Sequence, residues 1–192
     1  MKLILSCLTL CLSLAACTGV PLRSVPRLMN LPQSLLQANP AEVMVGLQVD
    51  ARLVPPAGAV PMLIIKLTPR EPGAFEAIDK KLPLQVSATS TALLNLEAPP
   101  LGRRWLIYSL PASTQAELQR IQAFVRDAQT RPNGLGSGSL SVGVAQESLA
   151  ITDPALANTR WDTWLQVRRQ DGFFAVWSGT PAQLQKLSAG QR

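Results

Sequence analysis

The sequence contains no histidine and only three cysteines among its 192 residues. Without histidine the chain lacks the usual general base at neutral pH, the commonest zinc and copper ligand, and every histidine-dependent triad. Long apolar runs are also missing, because the most apolar stretch, residues 3–14, is shorter than the ~20 residues that a membrane-spanning helix needs. Histidine-based catalysis is therefore excluded, and a permanent membrane span is not expected.

The N-terminus has the organisation of a secretory signal peptide. A short positive start, Met1-Lys2, precedes the apolar run and the box Leu14-Ala15-Ala16-Cys17. This box resembles the lipobox of bacterial lipoproteins, in which the cysteine is lipidated and becomes the mature first residue. The resemblance implies cleavage between Ala16 and Cys17, with acyl chains such as palmitate making attachment of Cys17 effectively permanent. The alternative is an ordinary secreted protein with an incidental cysteine.

The residues around the lipobox also indicate the compartment. In the lipoproteins that it resembles, aspartate after the cysteine favours retention in the inner membrane, so Thr18 implies the outer membrane, facing the periplasm. Cys7 and Cys11 would leave with the signal peptide. The mature chain is then expected to have no disulfide and no free thiol, and its stability must come from packing.

The net charge of the mature chain is modestly positive. Residues 1–16 hold one of the 18 basic residues and none of the 12 acidic ones, so their removal leaves a net charge of +5. In the cell envelope this charge favours an anionic glycan or lipid as a partner, whereas nucleic acid is not expected there. A solubilising surface charge is the simpler explanation.

The chain divides into three parts on composition. Residues 1–16 form the signal peptide, residues 17–40 the lipidated cysteine and a proline-rich tether, and residues 41–192 a single domain. Four prolines recur in the tether, at positions 21, 26, 32 and 40, which is too often for a long helix. Only a helical turn near residues 34–39 is expected to dock on the body.

The body is predicted to be α+β, a strand-rich antiparallel domain. Apolar residues alternate over residues 43–51 and 138–145, and the near-continuous apolar stretch 62–67 indicates a central or doubly covered strand. Further strands are predicted at 82–88 and 103–110, with 91–97 as a less regular candidate. Asp171-Gly172 predicts a C-terminal hairpin between residues 161–169 and 173–177. This succession favours an antiparallel meander.

Two helices are predicted in the body. Leu118, Ile121 and Val125 form the apolar stripe of one long amphipathic helix over residues 114–129, with Gln122 outside that stripe. Thr114 and Glu117 have the spacing of a capping box, although Ser113 could instead be the cap. Thr180-Pro181 begins a short C-terminal helix, which Gly190 should end.

Three segments of the mature part resemble an uncharacterised family of proteobacterial lipoproteins. They are the Leu110-Pro111-Ala112 entry into the long helix, the strand from Gly138 to Val144, and the aromatic hairpin around Asp171-Gly172. The resemblance spans about residues 40–180. It includes no diagnostic catalytic motif and implies no activity.

Motifs for catalysis and cofactors are scarce. The glycine-rich stretch 134–138 lacks the spacing of a dinucleotide or phosphate loop, and the sequence has no Gly-x-Ser-x-Gly elbow. No cofactor, metal or catalytic residue is therefore assigned. Asp153 and Asp162 could act as acid and base on a glycan, although Asp153, which precedes a proline, is more simply a turn residue.

The strongest positive feature is an aromatic–basic set that could form a ligand or partner surface. Exposed tryptophan beside arginine is typical of glycan or protein recognition, whereas burial in the core is the simpler alternative for each tryptophan. The odd spacing of Trp161 and Trp164 predicts that they lie on opposite faces of one strand. The set comprises Arg103, Arg104, Trp105, Trp161, Trp164, Arg168, Arg169 and Trp177.

These features favour a non-catalytic envelope lipoprotein, a binding or assembly accessory protein with an envelope protein as partner. One alternative is a carrier of lipid or another hydrophobic ligand, with an apolar pocket built from residues 62–67 and 138–145. A carboxylate-based cell-wall glycosidase is a further alternative.

The lipid-anchor hypothesis predicts the behaviour of the Cys17→Ser variant. Because only the acyl chains would hold the protein on the membrane, the variant should be a folded protein of the soluble periplasmic fraction. Fractionation after a high-salt wash checks this, with wild type as the control. A variant that still sediments with membranes would contradict the anchor.

Overall fold

The computed structural model describes residues 19–70, 75–89, 91–130, 138–150 and 153–189. They form two antiparallel sheets and three α-helices, so the predicted strand-rich α+β class is confirmed. In chain order the elements are α1 (Val25–Gln37), β1 (Met44–Asp50), β2 (Met62–Pro69), β3 (Ile78–Pro83), β4 (Gln85–Val86), β5 (Arg103–Ser109), α2 (Ala112–Thr130), β6 (Gly138–Ala145), β7 (Trp161–Gln166), β8 (Phe174–Gly179) and α3 (Pro181–Ala189).

The strands do not follow one another as a meander. The larger sheet has the order β4-β5-β1-β7-β8 and the smaller one β3-β2-β6. The first two strands thus lie in different sheets, and β1 pairs with the much later β5 and β7. The prediction of a meander is wrong because β1 is a central strand, and both of its neighbours come from distant parts of the chain.

The predicted strands are present with some changes of position. The hairpin of β7 and β8 is confirmed, and Gly172 between them has a positive φ of 64°, which favours glycine. The strand expected over 82–88 is divided between β3 and β4, and residues 91–94 form a 3₁₀ helix rather than a pairing segment. Residues 134–137 and Gly190 lie outside the described residues.

One apolar core joins the two sheets and the helices. Val45, Leu47 and Val49 of β1 point into it, as do Leu63 and Ile65 of β2. Each fully buried aliphatic side chain contributes about 1.5–3 kcal/mol. The stripe of α2 packs into the same core through Leu118, Ile121 and Val125.

The proline-rich segment contains a 13-residue helix, α1, so the expectation that its prolines exclude a long helix is wrong. Pro26 lies in the first turn, where the missing N–H has no intrahelical partner to lose. Pro32 is inside the helix and removes one backbone hydrogen bond. Burial of Leu31 and Leu35 in the core offsets that loss.

The two predicted helix starts have different outcomes. At α3 the predicted start is confirmed, because the helix begins at Pro181 directly after Thr180. The two ends of a capping box are also present there: the Thr180 N–H donates to Gln183 Oε1 at 2.9 Å, and the Gln183 N–H donates to Thr180 Oγ1 at 3.3 Å. At α2 the box is wrong, since the helix begins at Ala112. Thr114 Oγ1 there donates to the Pro83 carbonyl at 2.9 Å, which ties α2 to the end of β3.

Gln122 is a buried link between the two longest helices, although its position predicted an outward side chain. It is 4% exposed. Its amide donates to the Leu35 carbonyl at 2.7 Å and to the Ala38 carbonyl at 2.9 Å. These acceptors are at the C-terminal end of α1, where carbonyl groups lack intrahelical partners. A single side chain on α2 thus satisfies the end of α1.

We expect Gln122→Leu to lower the free energy of unfolding by about 1–3 kcal/mol, since the Ala38 carbonyl loses this donor and the Leu35 carbonyl keeps only the 3.3 Å bond from the Ala38 N–H. Hydrogen exchange should also become faster along α1. Chemical denaturation with exchange mass spectrometry measures both effects. The control is Gln119→Leu, which replaces an exposed glutamine of the same helix. Equal stability of the two variants would contradict the role of this link.

Candidate functional site

The aromatic–basic set does not form one surface, because strand alternation divides it between the two faces of the larger sheet. Trp105 pairs across the ladder with Gln48, and Trp164 with Gly46, so both lie on the face away from the core. Trp161 lies on the opposite face and is 1% exposed. The prediction that Trp161 and Trp164 point to opposite sides is confirmed.

Trp105 and Trp164 meet on the outer face, across the central strand. Their ring centroids are 5.9 Å apart with an interplanar angle of 74°, an edge-to-face contact. Gly46 lies beneath them, and a Cβ there would be 3.4 Å from the Trp105 ring. The Trp105 Nε1–H donates to the Glu97 carbonyl at 2.9 Å. Both rings are only half-buried and rest in fixed positions.

The other members of the set are dispersed. Arg104 donates to the Leu53 carbonyl, and Arg168 forms an ion pair with Asp171 at 2.8 Å. Arg169 is exposed, with its backbone N–H bonded to Glu42. Trp177 pairs with the buried Thr163 and therefore lies on the core side of the sheet. The eight residues therefore do not form one shared ligand surface.

Arg103 belongs to a network around the carboxylate of Asp162. Arg103 Nη1 donates to Asp162 Oδ2 at 2.7 Å, and Ser178 Oγ donates to Oδ1 at 2.6 Å. Arg160 Nε lies 3.1 Å from both oxygens, and Arg103 also donates to the Gln48 carbonyl. The Asp162 side chain is 9% exposed. The network links β5, β7 and β8 at one end of the larger sheet.

These contacts keep Asp162 ionised. Burial by itself raises the pKa of Asp162, but hydrogen bonds from Ser178, Arg103 and Arg160 outweigh it, and the pKa is held below its usual value. A general acid in glycoside hydrolysis needs the opposite, a raised pKa. Asp153 is exposed and its Oδ1 accepts the Ala155 N–H at 2.9 Å, as expected for a turn residue.

An apolar cleft of about 370 Å³ lies between the edges of the two sheets. On one side is β6, the edge strand of the smaller sheet, and on the other are β7 and β8 of the larger one. The start of the described chain, α1 and α3 complete the walls. The lining residues are Val20, Leu28, Leu31, Val142, Gly143, Val144, Gln146, Glu147, Thr163, Leu165, Val176, Trp177 and Leu184.

The cleft is lined by one of the two segments that the sequence predicts for an apolar pocket. The small-residue strand 138–145 contributes Val142, Gly143 and Val144, as expected. Residues 62–67 are not part of this lining, because β2 is the central strand of its sheet and lies behind β6. Leu28 and Leu31 were missed, although their spacing with Leu35 is a helical stripe that the prolines conceal.

Three polar side chains line the cleft, and two of them are paired with each other. Thr163 Oγ1 donates to Gln146 Oε1 at 2.8 Å, and both residues are at most 2% exposed. Glu147 is exposed. A mainly apolar lining of this volume, with one or two oriented polar groups, is the usual composition of a small-molecule site.

The N-terminal segment closes one side of the cleft by pairing with β8. The Ser178 N–H donates to the Gly19 carbonyl, and a Cβ on Gly19 would be 2.8 Å from Trp177 Nε1. Only glycine fits this close approach. Val20, the next residue, can therefore reach the cleft wall beside Trp177.

No family model, curated protein or solved structure matches the chain. Within the described ranges, no group of three or more His, Cys, Asp or Glu side chains is placed to hold a metal ion. None of the described helices is long and apolar enough to cross a membrane. The geometry of the cleft is thus the basis for assigning a function.

The lowered pKa of Asp162 predicts how stability depends on pH. A carboxyl whose pKa is depressed on folding stabilises the native state above its unfolded pKa, about 4, and this contribution is lost as the pH falls through the folded value. Asp162→Asn should lower the free energy of unfolding at pH 7 by about 3 kcal/mol, since Arg103 is left without its partner. The variant should also lose less stability than wild type on acidification below about pH 4.

Denaturant titrations across this acid range measure both effects. Asp171→Asn is the control, because Asp171 is exposed and its ion pair with Arg168 should contribute about 0–1 kcal/mol. An Asp162→Asn curve parallel to that of wild type through the acid range would contradict the lowered pKa.

Proposed function

We propose that this chain is a non-catalytic accessory protein of the cell envelope that binds an apolar ligand in the cleft between its two sheets. In this proposal Cys17 carries the lipid anchor, and the folded body faces the periplasm. The observation that carries the proposal is the cleft itself, with its apolar walls and its Thr163–Gln146 pair.

The ligand class follows from the chemistry of the lining. Val142, Val144 and Val176 present aliphatic groups, and Trp177 adds an aromatic ring. No arginine or lysine is among the residues that line the described cleft, so an anionic group is not recognised inside it. An acyl chain, or another unbranched apolar chain, fits such a lining, with any polar end directed to the paired Thr163 and Gln146.

A carboxylate-based glycosidase is less well supported. The charge of Asp162 is already neutralised by Arg103 and Arg160, and its pKa is lowered. Glycan binding by the aromatic–basic set also lacks support, because the residues of that set are divided between two faces of the larger sheet.

A protein partner remains the second candidate, and it is favoured by one feature of the same cleft. β6 is an edge strand beside the cleft, and an extended segment of a partner could pair with such an edge. Small side chains such as Gly143 and Ser141 would allow close approach of another backbone. The occupant would then be a peptide strand.

The experiment is recovery of whatever occupies the cleft. The lipidated protein is crosslinked in cells and purified, and attached lipid and protein are identified by mass spectrometry. We expect a lipid with an acyl chain in near-equal amount. One protein recovered in near-equal amount, without lipid, would replace this proposal by that of an adaptor.

Enlarging a wall residue should abolish binding. We expect Val142→Phe on β6, or Val176→Phe on β8, to fill the cleft and reduce lipid recovery at least about tenfold, a loss of roughly 1.4 kcal/mol. Binding of a fluorescent fatty acid to the purified variants checks the same effect. Val54→Phe, the same change at an exposed position, is the control. Full binding by both folded wall variants would contradict the site.

A further inference from the structure

Helix α1 has two apolar stripes, and only one of them is used inside the protein. Leu28, Leu31 and Leu35 face the cleft and the core. Leu22, Val25 and Met29 are spaced by three and four residues and form a second stripe on a neighbouring face. Leu22 is 87% exposed and Met29 is 78% exposed. The stripe begins in the short 3₁₀ turn Leu22–Ser24 and continues into α1.

Two arginines of this segment are held in place by aromatic rings. Arg23 lies at one edge of the exposed stripe, whereas Arg27 is on the side of the helix that faces the β7–β8 hairpin. The Arg23 guanidinium lies 6.0 Å from the centroid of Trp164, and that of Arg27 lies 5.6 Å from the centroid of Phe174. Arg27 Nη1 also donates to the Asp171 carbonyl at 3.4 Å. Both side chains remain exposed. Their other N–H groups are therefore available to phosphate.

The charge of this segment has one sign. Between Thr18 and Ala41 the sequence contains two arginines and no aspartate or glutamate. An apolar stripe with an arginine at its edge is the pattern of a helix that lies in the headgroup region of a membrane. Anionic lipid headgroups complement this charge.

The position of the stripe in the chain points to the same occupant. Leu22 is five residues after Cys17. An extended chain covers at most about 3.6 Å per residue, so Leu22 lies within about 18 Å of the anchored residue. Met29 is about 10 Å further along the helix axis. If Cys17 is lipidated, the whole stripe stays beside the bilayer surface.

We infer that the Leu22–Val25–Met29 stripe lies in the headgroup region of the membrane, with Arg23 at its edge bound to anionic lipid. This inference rests on the lipid anchor of the proposed function. It deepens that function, because Leu28 and Leu31 of the same helix line the cleft. The cleft wall and the membrane contact are then neighbouring faces of one helix. An acyl chain therefore has a short path between bilayer and cleft.

The absence of other thiols in the mature chain makes a site-specific test practical. Met29→Cys is labelled with the environment-sensitive fluorophore NBD in the lipidated protein, in vesicles of phosphatidylethanolamine and phosphatidylglycerol. Leu101→Cys is the matched control, since Leu101 is fully exposed in the turn before β5. We expect a blue shift of the emission and loss of iodide quenching at position 29, and neither effect at position 101.

The outcomes separate this inference from the proposed function. Equal quenching at positions 29 and 101 in vesicle-bound protein would overturn the membrane contact, for example because a protein partner covers the stripe in cells. Equal shielding at position 29 in vesicles of phosphatidylcholine alone would overturn the part assigned to Arg23. A free thiol at Cys17 in the mass spectrum would instead overturn the anchor, and ligand recovery tests the cleft independently.

Discussion

The two sheets are held together by side chains and not by a shared ladder, and the rest of the architecture depends on this. In the described part of the chain, β6 ends one sheet and β8 ends the other, with no pairing between them. A closed barrel would have no such gap, because every strand would have two neighbours. Here the gap is covered by α1, α3 and the residues that pair with β8 through Gly19. The cleft is what this covering leaves open.

Buried polar groups fix the elements that no ladder connects. Gln122 binds the end of α1, Thr163 binds Gln146 across the floor of the cleft, and Asp162 joins β7 to Arg103 on β5, one strand beyond its neighbour. A buried polar group without a partner costs about 1–3 kcal/mol. Arrangements that displace these elements therefore lose stability twice, through apolar contacts and through unsatisfied groups. In a chain whose stability is expected to depend on packing alone, these links select one arrangement.

The strands were predictable because their signal is local. Alternation over residues 43–51 and 138–145, and the Asp171-Gly172 turn, found β1, β6 and the β7–β8 hairpin. Sheet order was not predictable, since β1 pairs with strands that begin 50 or more residues later. The number of prolines in residues 17–40 predicts no long helix, but their positions permit α1. Pro26 lies in the first turn, and only Pro32 interrupts the helix.

The candidate site shows a similar division. Successive side chains of a strand alternate between its two faces, which is why Trp161 and Trp164 are on opposite sides. The same alternation applies to Arg103, Arg104 and Trp105, which are consecutive. Extended to these residues, it predicts that the aromatic–basic set is split. The cleft needed the structure, because its walls come from both ends of the chain and from two sheets. Gln122 lies outside the apolar stripe of α2, so the sequence pattern predicts an exposed side chain. Its burial and its hydrogen bonds depend on α1, a helix that the sequence did not predict.

Helix α1 carries two apolar stripes, one buried in the protein and one exposed. Residues 28, 31 and 35 recur with helical spacing on one side, and residues 22, 25 and 29 on another. A soluble helix of 13 residues usually turns a polar face to water, so exposed Leu22 and Met29 would be a solubility cost for a protein free in the periplasm. If Cys17, five residues before Leu22, carries the lipid anchor, the same stripe can be buried in the headgroup region of the membrane. The composition of this segment therefore makes most physical sense if anchor, helix and cleft wall act as one unit.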